Sequence, residues 1–325
     1  MLPKPRRLTI QYDLILSPVA PFHFDGTVYK PSHFPSGDCM YEDGQYWQTM
    51  RFDDRVLGIR LLNMGSVDRP KVALSIFSSK QISEALLFHI KSEIEYRFDM
   101  NIDLKEFYDT CKRDSVLKPV IKRWKGMRVS NGRSLYEFLV IATVLQNATV
   151  RRSAQMLENL FEHYGAKVNY DGKTLSSFWL PKSIDQASEN ELRNLKLGYR
   201  AKIFKHQSYA FMSGKLDESQ LRLLNTDALK SSLLELYGVG PASVWYVLFE
   251  VFKRYNAFEY ISPWEQKIYS HILYNRDMVE AKVILDDVNS KWGKWKMLAI
   301  HYLFEDLFWQ RKKQHIPWLD GLIRL

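Results

Sequence analysis

The chain has 325 residues, of which 46% are hydrophobic, 26% charged and 14% aromatic. This composition is typical of a folded chain of about two domains, and it excludes a disordered protein because so much apolar surface cannot stay solvated. No apolar run approaches the roughly 20 residues of a membrane-spanning helix, and the basic N-terminus lacks the apolar stretch of a signal peptide. We therefore expect a cytoplasmic protein without a membrane partner.

The formal net charge of +9 is unevenly distributed along the chain. Residues 1–98 carry a net charge of +1, and residues 99–325 carry +8. Such an excess favours a polyanionic partner such as nucleic acid, although many basic proteins bind nothing acidic. Cys39, Cys111 and the eight histidines show no metal-ligand spacing, so we expect neither a metal site nor a cofactor.

The first 98 residues show the pattern of β-strands. Residues 8–16 alternate apolar and polar side chains over most of their length, as a half-buried strand does. Further β-rich runs are separated by Gly, Pro, Asp or Asn: 26–29, 45–52, 56–62 and 71–77. Residues 82–98 then switch to the apolar spacing of a helix. The sequence predicts an N-terminal antiparallel β-sheet domain with a covering helix, over residues 1–98.

Residues 99–325 predict a helical domain, because every strong segment from Asp103 onward has helical spacing. Some helix starts are explicit: Ser188 with Glu191 forms a capping box, and Pro241 lies where a first helical turn tolerates proline. The ten predicted helices are 104–112, 134–146, 150–164, 189–195, 200–212, 226–236, 241–253, 263–274, 278–290 and 295–312. The predicted fold class is α+β, with a β-rich domain followed by an all-α domain.

Two of these helices are joined by Gly238-Val239-Gly240. Glycines on both sides of one apolar residue allow a tight hairpin, and the free N–H groups at the start of the next helix can bind a phosphate oxygen. Val239 would pack between the two helices. An ordinary helix–turn–helix connection has the same pattern, so the motif alone leaves both interpretations open.

Four stretches together carry a resemblance to a known family. In chain order they are 104–126, 138–149, 188–202 with Gly198-Tyr199-Arg200-Ala201-Lys202 at its end, and the hairpin at 238–240. With these stretches the chain resembles the helix–hairpin–helix DNA glycosylase superfamily, in particular AlkA-type 3-methyladenine glycosylases and their 8-oxoguanine glycosylase relatives. The resemblance covers nearly the whole chain, since in these enzymes a β-rich, TATA-binding-protein-like domain precedes the helical one. It implies a DNA repair enzyme that excises a damaged purine from double-stranded DNA.

The resemblance implies two catalytic groups, and the chain departs from the family at both. Bifunctional members carry a Schiff-base lysine two residues beyond the second hairpin glycine; Ala242 stands there, which predicts a monofunctional glycosylase. Active members carry an aspartate about twenty residues later, which stabilises the cation on the deoxyribose. Alignment on Pro263 places Glu265 at that position, with the loop 252–258 about three residues longer. A first-turn glutamate favoured by the helix dipole is the alternative, and Glu259 is the nearest other acid.

An enzyme that flips a base out of duplex DNA also needs a backbone anchor, a side chain that fills the gap and an aromatic pocket. The resemblance assigns the anchor to the hairpin and the gap to Asn147, although Asn is also common at a helix C-terminus. The full set of predicted site residues is, for DNA binding, Gly238, Val239, Gly240, Asn147, Gln146, Arg200 and Lys202, and, for the base pocket, Tyr199, Trp245 and Tyr246.

The sequence leaves the damaged base open. The missing lysine favours the alkylated-base branch, whereas Asn147 and residues 199–202 favour the 8-oxoguanine branch. A second class of function also stays open: a helix–hairpin–helix DNA-binding protein that recognises bent or damaged DNA with little or no glycosylase activity. A basic protein without a nucleic-acid role would require four chance motif matches. We expect a monomer, nucleoid-associated in the cytoplasm or nuclear in a eukaryote.

Overall fold

The computed structural model describes residues 5–52 and 54–323. The strands are β1 (Arg6–Arg7), β2 (Ile10–Leu16), β3 (Cys39–Glu42), β4 (Gln45–Phe52), β5 (Arg55–Asn63), β6 (Val72–Ser78), β7 (Ala166–Tyr170) and β8 (Lys173–Ser177). The first eight helices are α1 (Phe24–Val28), α2 (Glu84–Arg97), α3 (Lys105–Cys111), α4 (Leu117–Trp124), α5 (Leu135–Leu145), α6 (Val150–Tyr164), α7 (Pro181–Gln186) and α8 (Glu189–Leu192).

Eight further helices follow: α9 (Arg200–Met212), α10 (Glu218–Arg222), α11 (Thr226–Leu234), α12 (Pro241–Tyr246), α13 (Pro263–Tyr274), α14 (Ala281–Trp292), α15 (Lys296–Lys313) and α16 (Pro317–Leu322). Two short π-helical segments, Arg193–Leu197 and Val247–Val251, continue α8 and α12. Within the ranges that the structure describes, no helix combines the length and the apolar character needed to cross a membrane.

The N-terminal part contains the predicted sheet and its covering helix. Five antiparallel strands lie in the order β2-β6-β5-β4-β3. Helix α2 begins at the N-cap Ser83, whose side chain accepts a hydrogen bond from the Leu86 amide. Ile90 and Ile94 of α2 are fully buried in one cluster with Leu57 and other strand residues. The predicted α+β fold class is confirmed.

The β-rich run predicted at residues 26–29 is wrong, because these residues lie in and just after helix α1. His23 caps this helix, and its Nδ1 accepts a hydrogen bond from the Gly26 amide. A Cβ on Gly26 would lie 3.1 Å from the Trp124 ring. Packing of α1 against Trp124 therefore overrides the β propensity of Val28, whereas Tyr29, which follows the helix, has an extended backbone.

The expectation that every strong segment after Asp103 is helical is also wrong, because β7 and β8 form a hairpin. Its turn is Asp171-Gly172, with both residues at positive φ (47° and 70°), as a type I′ turn requires. Strand β7 also pairs in parallel with β1. The hairpin packs on the five-stranded sheet, where a Cβ on Gly58 would lie 2.5 Å from the Tyr170 ring. Two adjacent β layers therefore come from both parts of the chain, and the boundary at residue 98 stays a prediction.

A buried carboxylate also joins α2 to the helical part. Arg222 of α10 donates two hydrogen bonds to Glu93, at 2.7 and 2.6 Å, and Arg97 donates a third at 2.7 Å. Burial raises the pKa of Glu93, but the two arginines outweigh burial and hold this pKa at about 2. Since the charged form is paired in the folded state, Glu93 stabilises the fold at neutral pH.

We predict that Glu93→Gln lowers the free energy of unfolding by about 3–5 kcal/mol at pH 7, because it leaves the buried Arg97 without its charged partner and removes one of the two carboxylates that pair with Arg222. In the wild type, the contribution of Glu93 should be complete above its unfolded pKa of 4.5 and should be lost as the pH falls toward 2. Urea denaturation at pH 7 and pH 3 measures both effects. Glu259→Gln, which breaks an exposed pair with Lys230, should change stability by less than about 0.5 kcal/mol; similar losses in both variants would contradict the prediction.

Candidate functional site

The structure has a tight hairpin at Gly238-Val239-Gly240, between α11 and α12. Gly238 has φ +87°, and a Cβ on it would lie 2.4 Å from the side chain of Ile203. Val239 is buried, and its amide donates to the Leu236 carbonyl at 3.0 Å. Gly240 is the N-cap of α12, and a Cβ there would meet no atom within 4 Å. The first glycine is therefore required by the fold, whereas the second leaves the backbone open to an approaching group.

The backbone of this hairpin offers hydrogen-bond donors at a helix start. Within the described residues, the amides of Gly240 and Ala242 donate to no protein acceptor. Pro241, between them, has no N–H. Free N–H groups at the start of a helix attract anions. The hairpin is therefore chemically suited to a phosphate oxygen.

The turn after α5 lies directly beside the hairpin. Gln146 Nε2 donates to the Gly238 carbonyl at 2.8 Å. Asn147 adopts the left-handed conformation with φ +48° and is exposed, and its Nδ2 donates to the Tyr199 hydroxyl at 3.3 Å. The structure thus brings four predicted site residues, Gln146, Asn147, Tyr199 and Gly238, into one continuous surface.

The two basic residues predicted to bind DNA have different environments. Arg200 is buried and donates to the carbonyls of Thr143 and Gln146 at the end of α5. Its guanidinium therefore positions the turn instead of lying on the surface, because the C-terminal carbonyls of a helix attract a cation. Lys202 is exposed, with its ammonium 5.3 Å from the ring centre of Tyr237. Arg151 and other exposed basic residues on α6 and after α8 add positive charge.

The three aromatic residues predicted for a base pocket do not come together. Tyr199 lies beside Asn147, and Trp245 is buried in a core cluster with Val239. Tyr246 instead points toward α13, where its hydroxyl hydrogen-bonds Glu265. Because consecutive helical residues point about 100° apart, Trp245 and Tyr246 lie on different faces of α12.

The Glu265 carboxylate is buried and accepts hydrogen bonds at both oxygens. Oε1 accepts from the hydroxyls of Tyr246 and of Tyr269, the latter at 3.2 Å. Oε2 accepts from the Ser262 hydroxyl at 2.7 Å and from the Ser262 amide at 3.2 Å. Burial and the neighbouring Glu265 charge raise the pKa of Tyr246 and of Tyr269 well above the ordinary value. Both tyrosines therefore keep the protons that they donate.

Glu265 forms a capping box with Ser262 at the start of α13. The structure thus shows the structural role that a first-turn glutamate can have. A catalytic role for Glu265 stays a prediction. Ser262 stands twenty residues beyond Ala242, the spacing at which the resemblance expects an aspartate. Glu265 bends back to this N-cap, so its carboxylate lies at the helix start. Glu259, the other candidate acid, is exposed and pairs with Lys230.

Sequence reasoning missed Ser262 and Tyr269 as partners of Glu265. The Ser-x-x-Glu spacing at 262–265 is itself a capping-box signal, and Tyr269 follows Glu265 by one helical turn. The hydrogen bond with Tyr246 depends on how α12 packs against α13 and has no local signal. The described residues contain no group of three or more potential metal ligands.

Two curated relatives match the chain over most of its length. One is a probable N-glycosylase/DNA lyase of Methanothermobacter thermautotrophicus, 24% identical over 66% of this chain and 74% of the relative. The other is a DNA-3-methyladenine glycosylase of Bacillus subtilis, 22% identical over 83% of this chain and 89% of the relative. No family profile matches the chain.

Solved structures match over nearly the whole chain. The 3-methyladenine DNA glycosylase of Archaeoglobus fulgidus covers 93% of this chain and is itself covered to 99%, with a TM-score of 0.75 at 14% identity. The 8-oxoguanine glycosylase/lyase of Clostridium acetobutylicum, in its apo form, covers 90% of this chain and is itself covered to 95%, with a TM-score of 0.68 at 22% identity.

The chain has the DNA glycosylase fold. This finding confirms the resemblance predicted from the four motifs. Because both kinds of glycosylase share the fold, it does not choose between the alkylated-base and oxidised-base branches. Within the glycosylase fold of this chain, the hairpin, the turn at 146–147 and Glu265 are held by the contacts described above.

We predict different effects on stability for alanine at the two hairpin glycines. Gly238→Ala should lower the free energy of unfolding by about 1–3 kcal/mol, because Ala is strained at positive φ and its Cβ meets Ile203. Gly240→Ala should change it by less than about 0.5 kcal/mol, since the added methyl meets no atom. Urea denaturation of both variants measures the difference; equal losses would contradict the described hairpin geometry.

Proposed function

We propose that this protein is a DNA glycosylase that hydrolyses the N-glycosidic bond of a damaged purine flipped out of double-stranded DNA. The observation that carries the proposal is the hydrogen bond between Tyr246 and Glu265. Tyr246 belongs to the helix that starts at the hairpin, so this bond ties a buried carboxylate to the same element that would hold the DNA backbone. Both curated relatives are named as glycosylases.

The amides of Gly240 and Ala242 would anchor the DNA strand at the hairpin. This contact is with the phosphate backbone and is independent of the base sequence. Asn147 is exposed on the adjacent turn, and Gln146 and Arg200 fix this turn in place. A polar side chain at this point can fill the space that the flipped nucleotide leaves in the stack. Lys202, Arg151 and the other exposed basic residues would contact phosphates on either side of the phosphate that the hairpin holds.

Glu265 would supply the negative charge that stabilises the cation developing at C1′ as the glycosidic bond breaks. The four hydrogen bonds to its carboxylate hold this charge in a fixed position. A water molecule then adds to C1′ and passes a proton to the carboxylate, which releases the proton to solvent. Ala242 has no amine, so we propose hydrolysis without a lysine-dependent lyase step.

A specific observation favours a second candidate function, recognition of damaged or bent DNA without base release. Both oxygens of Glu265 already accept hydrogen bonds in the capping box and from the tyrosines. A carboxylate whose two oxygens both accept hydrogen bonds within the protein can have a purely structural role. The two functions differ in one measurable property, the release of a free base.

We predict that the wild type releases a base from at least one duplex carrying 3-methyladenine, hypoxanthine or 8-oxoguanine, and that Glu265→Gln lowers this rate about 10²–10³-fold. Gln also forms the capping box, so this variant removes the charge and keeps the helix start. Single-turnover kinetics with detection of the free base measure the rate. Strand breaks should appear only after hot alkali, because Ala242 cannot form a Schiff base.

Two controls separate the possible outcomes of this assay. Glu259→Gln should release the base at the wild-type rate. Unchanged release by Glu265→Gln would remove Glu265 from the mechanism. Tight duplex binding by the wild type with no release from any lesion would establish the second candidate function instead.

Gly240→Ala should weaken binding to a duplex with an abasic-site analogue about tenfold, equivalent to about 1.4 kcal/mol, because its methyl group lies against the approaching phosphate. Equilibrium binding at two salt concentrations measures the effect, and the affinity should also fall steeply with salt. Ser231→Ala, at an exposed position of α11, serves as the control. Wild-type affinity in Gly240→Ala would contradict the proposed anchor.

A further inference from the structure

A cluster of charged and histidine side chains lies where residues 26–33, the π-helical segment after α12, and α15 meet. None of these side chains takes part in the mechanism described above. Lys30, Glu250, His301 and Glu305 are all buried. His33, at the edge of the cluster, keeps 41% of its side chain exposed. The cluster therefore has one histidine that a ligand can reach and a buried set of charges behind it.

Glu250 holds this histidine by one ring nitrogen. His33 Nε2 lies 3.3 Å from Glu250 Oε1. Nδ1 makes no hydrogen bond with the described residues, so it is available to a ligand. A carboxylate on one nitrogen fixes the orientation of an imidazole and leaves the other nitrogen to donate or accept a proton.

The same helix carries the contacts to both His33 and Glu265. Tyr246, which bonds Glu265, and Glu250, which bonds His33, are four residues apart along 241–251 and so lie on one side of this helix, with about 5–6 Å between their Cβ atoms. Burial, Glu265 and Glu250 all raise the pKa of Tyr246, which agrees with this closeness. In the arrangement that we infer, a nucleoside bound over this face has Glu265 on its sugar side and His33 on its base side.

Given the proposed glycosylase function, on which this inference rests, we propose that His33, held by Glu250, is the general acid that protonates the leaving purine. The proton on Nδ1 passes to N7 or N3 of the base as the C1′–N9 bond breaks and its electron pair moves to the purine. Water adds to C1′ and gives one proton to Glu265, and neutral His33 takes a new proton from solvent. The products are the free base and an abasic site.

The surrounding charges make the protonated form of His33 available near neutral pH. Desolvation lowers the pKa of His33, but Glu250 and, more weakly, Glu305 outweigh desolvation and the opposing charge of Lys30, and raise this pKa above its ordinary value. Among the other groups facing the cluster, burial lowers the pKa of His301 well below its ordinary value, so His301 stays neutral. Burial lowers the pKa of Lys30 and of Lys253 to about 8. Rates are therefore best compared between about pH 5.5 and 7.5, where the lysines keep their charge.

The test compares a neutral damaged base with a cationic one. Hypoxanthine needs a proton to leave, whereas 7-methylguanine already carries a positive charge. We predict that His33→Gln lowers the single-turnover release of hypoxanthine at least 100-fold and changes the release of 7-methylguanine less than about threefold. His89→Gln, at an exposed position of α2, should match the wild type on both duplexes.

The pH profile gives a second readout, which a merely structural role would not produce. Release of hypoxanthine by the wild type should fall as the pH rises through the raised pKa of His33, because the acid form is lost. Glu250→Gln removes the carboxylate that raises this pKa, so the falling limb should move to lower pH. Release of 7-methylguanine should show no such limb in either protein.

The possible failures are distinguishable. One failure is that the wild type releases both bases while His33→Gln slows both releases equally or slows neither. Either result would overturn this inference and leave the proposed glycosylase function in place. Release of 7-methylguanine alone by the wild type would also overturn it, since the proton donor would then have no neutral substrate. Release of no base from any lesion would overturn the proposed function together with this inference.

Discussion

The helix over residues 241–251 is the constraint on which the proposed site depends. Its N-terminus is the hairpin with the open amide of Gly240, Tyr246 follows in its second turn, and Glu250 comes one turn later. Through these residues one rigid element is joined to the candidate phosphate anchor, to the carboxylate of Glu265 and to His33. The hydrogen bond from Tyr246 and the ion pair of Glu250 therefore tie Glu265 and His33 to the same helix that begins at the hairpin.

In the proposed mechanism, Glu265 has a structural and a chemical role at once. The capping box satisfies free N–H groups at the start of α13, and the same contact brings the carboxylate to the end of the helix that faces Tyr246. Tyr246 and Tyr269 then hold it by their hydroxyls. Their protons are retained at all physiological pH values, because burial and the glutamate charge raise both pKa values. A fixed negative charge of this kind is what stabilisation of a sugar cation requires.

The features that the sequence predicted well have local causes. The glycines at 238 and 240 predict the hairpin, because Gly238 adopts a positive φ and Gly240 leaves its backbone accessible. Pro263 likewise predicts the start of α13. The Asp171-Gly172 turn is an equally local signal for a β-hairpin, although the segments on both sides of the hairpin are helical. The environments of Arg200, Trp245 and His33 could not be predicted in the same way, because each depends on contacts between elements that are distant in the sequence. The 100° step between consecutive helical residues predicts that Trp245 and Tyr246 lie on different faces. It does not predict which of the two faces Glu265.

The most direct test of the proposed function is a crystal structure of Glu265→Gln bound to a duplex that carries a 2′-fluoro hypoxanthine nucleotide, whose glycosidic bond resists cleavage. We predict that a phosphate oxygen contacts the Gly240 amide and that Asn147 occupies the gap in the stack. The extruded nucleotide should place C1′ next to residue 265 and the purine edge next to His33 Nδ1. A base that stays in the stack, or DNA bound on a face away from the helix 241–251, would contradict it.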